Sequence, residues 1–352
     1  MRSVLNIINP YDPGIFPEDV GEAIQLASNE NPYEPSENVK KAYLEALKKI
    51  NRYPSAHYRK LKEYIADYIG CDISNISVGC GAGELIGRIC DCIADELDKV
   101  VIPVPSFTLY AIYAMLRNTS IQNPYFPNYE VEADVIAEMR PKLVFLCSPN
   151  NPTGNTLNRK TVERIAEFSE YVVLDEAYVE YADESLVDLA MEYENLIVLR
   201  SFSKFFGLAG LRIGYCISSP RIAEAIEKVR LPFAISQPAI HCAIAALSDL
   251  EYYKKLRDIT IQERERLYKE LKSFKWLKVF PSKANFIFAK TSIDGLAEML
   301  LERGIIVRSI RSLIGLEGSH VRITVGRREE NDILLNALRS IDESIGGKTS
   351  TK

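Results

Sequence analysis

Residues 143–154 read LVFLCSPNNPTG, and residues 171–178 read YVVLDEAY. Each opens with a short run that is apolar at every position and then breaks into polar, turn-forming residues. A strand without polar alternation is one covered on both faces, as in a parallel sheet between layers of helices. Working outward, further strand candidates lie at 76–78, 100–104, 196–199 and 212–217, with helix-like patterns between them at 83–95 and 160–168. This βα alternation predicts an α/β domain with a mainly parallel sheet. Ligands in such folds bind beyond the carboxyl ends of strands, which makes the polar ends of both stretches candidate site segments.

The flanks read differently. An extended, proline-rich arm leads into an amphipathic helix over 36–50, opened by Ser36 as a capping residue. Toward the other end, a long helical pattern at 251–273 precedes strand candidates at 278–280, 286–289, 305–307 and 321–325, then a last helix at 329–344. The expected division is an arm and helix over 1–50 that packs with a small α+β domain at 248–345, a large domain at 51–247, and a disordered polar tail at 346–352.

With 352 residues, 47% of them hydrophobic and 26% charged, the chain falls in the globular class and is long for a single core. Its net charge of −5 supplies no positive field for nucleic acid. No apolar run approaches the ~20 residues needed to cross a bilayer, so no membrane partner is expected. Seven scattered cysteines, an odd number, suit free thiols in a reducing, cytoplasmic setting. Cys90 and Cys92 have no companion pair, and the three histidines lie far apart, so no metal site is expected.

Four segments carry candidate chemistry. Gly79-Cys80-Gly81-Ala82-Gly83-Glu84 follows a short strand and opens a helix, where free backbone N–H groups can hold a phosphate. It is equally readable as a plain tight turn, because Glu84 stands where a dinucleotide fingerprint needs its third glycine. Ser148-Pro149-Asn150-Asn151-Pro152-Thr153-Gly154 makes a stiff turn that presents a side-chain amide, or merely a strand-to-helix corner. Asp175, in Asp175-Glu176-Ala177-Tyr178, puts a carboxylate at the end of an apolar strand, where burial is costly without a partner. In Ser201-Phe202-Ser203-Lys204-Phe205-Phe206, a lysine among aromatics can be desolvated into a neutral nucleophile; two hydroxyls and Arg212 nearby could grip a phosphate.

Together, in this order, these segments resemble the class I and II aminotransferases, pyridoxal-phosphate enzymes of fold type I. Pro10-Tyr11-Asp12-Pro13-Gly14, Ser28-Asn29-Glu30-Asn31-Pro32-Tyr33 and Arg52-Tyr53-Pro54 resemble the histidinol-phosphate branch of that family. The resemblance extends through Gly304–Arg308 and Val321–Gly326 and covers nearly the whole chain. It implies a seven-stranded, mainly parallel sheet in a large domain with helices on both faces, beside a smaller α+β domain.

It also implies roles. Lys204 would form the covalent imine with the cofactor and shuttle a proton. Asp175 would keep the pyridinium nitrogen protonated, Asn151 and Tyr178 would hold the phenolic oxygen, and Phe107 would stack on the ring. Backbone N–H groups of Ala82 and Gly83, with Ser201, Ser203 and Arg212, would bind the phosphate. Tyr53 would reach that phosphate from the second subunit of a homodimer with shared active sites. Arg322 and Arg308 would receive the substrate's carboxylate or phosphate, Asn151 would assist, and Tyr11 would close the pocket. Small-molecule substrates follow, an amine such as histidinol phosphate and a 2-oxo acid. Threonine-phosphate decarboxylation and aromatic transamination use similar residues, and a non-catalytic sensor would need an N-terminal DNA-binding module. Where family members carry polar residues in the glycine turn, this chain has Cys80 and Gly83, leaving backbone contacts there; Phe233-Ala234 replaces a common Tyr-Asn.

Overall fold

A computed structural model describes residues 1–349. Among them the chain forms β1 (Ile24–Leu26) in its arm, then β2 (Ile76–Gly79), β3 (Lys99–Val101), β4 (Ser120–Gln122) and β5 (Leu143–Cys147). These are followed by β6 (Tyr171–Asp175), β7 (Leu196–Ser201) and β8 (Gly214–Ile217). The C-terminal part supplies β9 (Leu277–Phe280), β10 (Phe286–Thr291), β11 (Ile305–Ile310) and β12 (Ser319–Thr324).

The larger sheet has seven strands in the order β2-β8-β7-β6-β5-β3-β4. β8 runs antiparallel to both of its neighbours, and the other pairs are parallel. The doubly apolar strands do what their composition requires. Val144, Leu146, Val172, Leu174 and Val198 enter a core shared with Leu61, Ile65, Val162 and Ile165. Their neighbours Leu143, Phe145, Val173, Ile197 and Leu199 enter a second core on the opposite face, with Leu85, Ile86, Ile89 and Tyr110. Helices thus cover both faces, and every strand end that could carry chemistry opens at one edge of the layers.

The smaller sheet has the order β1-β11-β12-β10-β9, with β1 parallel to β11 and the remaining pairs antiparallel. Leu26 from the arm shares its core with Leu267, Ile287, Ile305, Val321, Leu334 and Leu338. Ser36 caps the helix Glu37–Leu47, its hydroxyl accepting the Val39 N–H.

Some boundaries differ from those expected. β3 stops at Val101 instead of 104, and β8 begins at Gly214 instead of 212, because Arg212 lies in the left-handed backbone region at φ 52°. Two strands, β1 and β4, were not expected. Both are three residues long and lie at sheet edges, too short to show a period of their own. The last helix spans Arg328–Thr349, so the tail expected to be disordered from 346 is helical up to that point, and 350–352 lie outside the described residues.

Candidate active site

The ends of β5, β6 and β7 converge with the N-terminus of the helix Ala82–Ile93 and with segment 27–31 of the arm. Asp175 closes β6 and is 4% exposed. Its carboxylate accepts the Tyr110 hydroxyl at 2.7 Å and the Ala177 N–H at 3.0 Å. Burial raises its pKa, and the Tyr110 hydrogen bond opposes the rise. The loop that follows is held by a buried ion network. Glu176 accepts from Arg200 and from the Leu186 N–H, and Arg200 also bonds Glu180. A buried charge cluster is tolerable only when each member is partnered in this way, and here it anchors the stretch between Asp175 and Tyr178.

Lys204 follows β7. Its Nζ donates to the Ser28 carbonyl at 2.9 Å and lies 5.8 Å from the Tyr178 ring centroid. Burial, and then the Arg322 guanidinium, lower its pKa to about 8, while the carboxylates of Glu30 and Asp175 pull the other way. Lys204 and Asp175 therefore act on each other within one cleft. Tyr178 is buried, receives a hydrogen bond from Asn29 Nδ2 at 3.0 Å, and has its phenol pushed upward by burial.

A second group of the residues predicted from the sequence gathers at the glycine turn. Gly81, at φ 83°, precedes the helix, and no side chain caps it. Close packing leaves no room for larger residues there. A Cβ at Gly214 would stand 2.7 Å from the Ala82 nitrogen, and one at Gly81 would stand 2.8 Å from Arg212 Nη2. Arg212 Nη1 reaches Ser203 Oγ at 3.4 Å, and Ser203 N–H bonds Ser201 Oγ at 3.1 Å. The result brings a helix N-terminus, two buried hydroxyls and one guanidinium together, a set of donors complementary to a phosphate.

The residues expected on the substrate side lie on the other flank. Arg322 Nη1 donates to Asn151 Oδ1 at 2.6 Å and Nη2 to the Ala27 carbonyl at 2.7 Å, while Nε is buried without a partner. Arg308 stands directly across from Arg322 in the β11–β12 register. Its Nη2 is held by Asp12 of the arm, at 2.6 Å from the carbonyl and 3.2 Å from the carboxylate. Tyr11 packs edge-on against Phe107 at 6.1 Å, and Phe107 in turn meets Tyr110 at 5.6 Å.

The fold thus brings together Lys204, Asp175, Tyr178, Asn151, Arg322, Phe107 and Tyr11 on one side and Ala82, Gly83, Ser201, Ser203 and Arg212 on the other. Tyr53 is not among them. It is 79% exposed and stacks on Phe233 at 4.5 Å. Sequence reasoning missed Tyr110, which carries Asp175, and gave Ser28 and Asn29 no individual part. For Tyr110 a signal existed: it lies three residues after Phe107, on the same face of the helix Thr108–Leu116.

Residues 21–338 match the family described as aminotransferase class I and II. The chain belongs to this family. Among its relatives, histidinol-phosphate aminotransferase 2 of Archaeoglobus fulgidus is 61% identical over 97% of this chain and 100% of its own length. The histidinol-phosphate aminotransferase of Methanocaldococcus jannaschii is 37% identical over 97% of both chains. A solved structure of histidinol-phosphate aminotransferase from Sinorhizobium meliloti, in complex with pyridoxal-5'-phosphate, superposes with a TM-score of 0.89 at 25% identity, covering 98% of each chain.

Proposed function

We propose that this chain is a pyridoxal-phosphate-dependent aminotransferase that moves an amino group between histidinol phosphate and 2-oxoglutarate, in histidine biosynthesis. The observation that carries the reading is the cleft in which a lysine of lowered pKa and a buried aspartate interact beside a phosphate-shaped donor cluster. The residues fit the cofactor. The turn at Gly81–Gly83 lies against Gly214, and Arg212 Nη2 stands 2.8 Å from where a Cβ at Gly81 would be, so backbone N–H groups and a guanidinium come together as a phosphate requires. Asp175 is set to pair with a protonated ring nitrogen, and Phe107 borders the same space.

When bound, pyridoxal phosphate supplies an electron-withdrawing ring that stabilises negative charge at the substrate carbon bearing the amine. The chain's own residues do the rest. Asp175, oriented by Tyr110 and the Ala177 N–H, keeps the ring nitrogen protonated. Lys204 Nζ, its pKa lowered to about 8, would hold the cofactor covalently and would act as the base for the substrate proton. Asn151 and Tyr178 hold the ring's phenolic oxygen. Arg322, with an unpartnered Nε, receives the substrate anion, and Arg308 beside it provides a second cation. The pair of guanidiniums supports a phosphorylated amine and a dicarboxylate as alternating partners.

We further read the protein as a cytoplasmic homodimer. Its seven cysteines are all unpaired, and the described residues contain no helix long and apolar enough to cross a membrane. Tyr53 lies with Leu231, Ile50 and Leu44 among the most exposed large apolar residues, and would enter the second subunit's phosphate cluster.

Two measurements test the function. Borohydride reduction of the holoenzyme should fix cofactor to Lys204, and Lys204→Ala should abolish both that linkage and turnover. Histidinol phosphate should surpass phenylalanine, tyrosine and threonine phosphate as amino donors to 2-oxoglutarate in a side-by-side assay. Carbon dioxide release from threonine phosphate, or a protein that takes up no cofactor, overturns the assignment.

A further inference from the structure

Asn29 lies where the arm crosses the cleft, its backbone at φ 53° in the left-handed region and its side chain 1% exposed. Asparagine tolerates that conformation better than most residues. The hydrogen bonds around it have a definite polarity. Its backbone N–H donates to Thr324 Oγ1 at 2.9 Å, and the Thr324 hydroxyl donates to Asn29 Oδ1 at 3.3 Å. The amide oxygen is thereby committed to β12, two residues beyond Arg322. The amide nitrogen is left facing Tyr178, to whose hydroxyl oxygen it donates at 3.0 Å.

A phenol has one proton and can point it in one direction at a time. Because Asn29 donates to the Tyr178 oxygen, the Tyr178 proton cannot be spent on Asn29 and is turned toward the cleft that holds Lys204. We infer that Asn29 is a positioning residue that sets the direction of the Tyr178 hydroxyl proton, so that Tyr178 donates to the cofactor's phenolic oxygen. The inference rests on the function proposed above and adds a residue to it. Donation from Asn29 also favours negative charge on the Tyr178 oxygen, which strengthens that hydroxyl as a donor. Thr324 has an indirect part, because it decides which end of the amide faces the phenol.

The visible absorbance of the holoenzyme, titrated with pH, provides the test. It reports the proton affinity of the lysine–cofactor linkage independently of turnover. Asn29→Gly keeps the left-handed backbone and removes the amide. Its spectral midpoint should rise by about 0.5–1 pH unit, the size of one hydrogen bond's net contribution. Tyr178→Phe should raise it at least as far, and the double variant should titrate like Tyr178→Phe alone. A shift for Asn29→Gly that persists undiminished in the Tyr178→Phe background, or no shift at all, overturns the inference. Thr324→Val, which frees the amide oxygen and also removes the acceptor of the Asn29 N–H, should give a smaller shift of the same sign and covers the case in which Asn29→Gly fails to fold. A wild-type protein that binds no cofactor and shows no titratable band overturns the function itself, which is a distinct outcome.

Discussion

Lys204 is a side chain made reactive by where it sits. Its amine leaves water for a site crowded by Arg322, and the charged form is penalised more than the neutral one, taking the pKa from 10.5 to about 8. Attachment of pyridoxal phosphate to cofactor-free protein should therefore accelerate as pH rises through about 8 and level off above 9. Stopped-flow absorbance between pH 6.5 and 9.5 checks this, and a rate still climbing tenfold per unit at the upper end contradicts it. The sign for stability follows. The unfolded amine binds a proton up to 10.5 and the folded one only to about 8, so the cofactor-free fold gains stability from this group between those values. Lys204 and Asp175 stood out in the sequence because reactive residue types following apolar strands are unusual, whereas Arg322, inside β12, and the role of Asn151 came only from the family resemblance. Tyr110 and Asn29 were not, because a tyrosine inside a helix and an asparagine in an arm acquire meaning only from partners 65 and 149 residues away.

Elements rather than residues shape the phosphate cluster. The central strands of the large sheet were readable because β5, β6 and β7 open with runs that lack polar alternation, and the two cores on opposite faces account for that pattern. The three-residue strands β1 and β4 were unreadable because an edge strand of that length carries no periodic signal. Where β8 passes under the glycine turn, Gly214 permits backbone to approach backbone. Gly214→Ala would place a methyl group 2.7 Å from the Ala82 nitrogen, and the turn must move outward to accept it. Cofactor affinity should fall at least tenfold, on the order of 1.4 kcal/mol or more, while Arg212 and the hydroxyls remain. Fluorescence titration of the apoprotein measures it, and unchanged affinity would show that the N–H groups of Ala82 and Gly83 take no part.

At the scale of the molecule, Tyr53 exposes most of its surface and stacks on Phe233, and Leu231 is exposed as well; the proposed homodimer would cover them. Leu231→Glu should convert the particle seen by light scattering from dimer to monomer. Tyr53→Phe should leave the dimer intact and weaken cofactor binding by roughly three- to tenfold, the loss of about one hydrogen bond. A monomeric wild type, or a Tyr53→Phe dimer with full affinity, removes the shared site from the account. No reading of one chain could have settled this, because the residue's counterpart would belong to another copy.

The arm joins the small sheet through β1 and β11, with Ile24 beside Ile305, and on the way its Ser28 carbonyl meets Lys204. During synthesis residues 24–26 must consequently wait until 305–307 have emerged before they find their place. The seven-stranded layer can assemble earlier, yet its lysine stays without the arm's carbonyl until β11 has emerged. A nascent protein released early would carry the scaffold for chemistry and leave the pocket open to water.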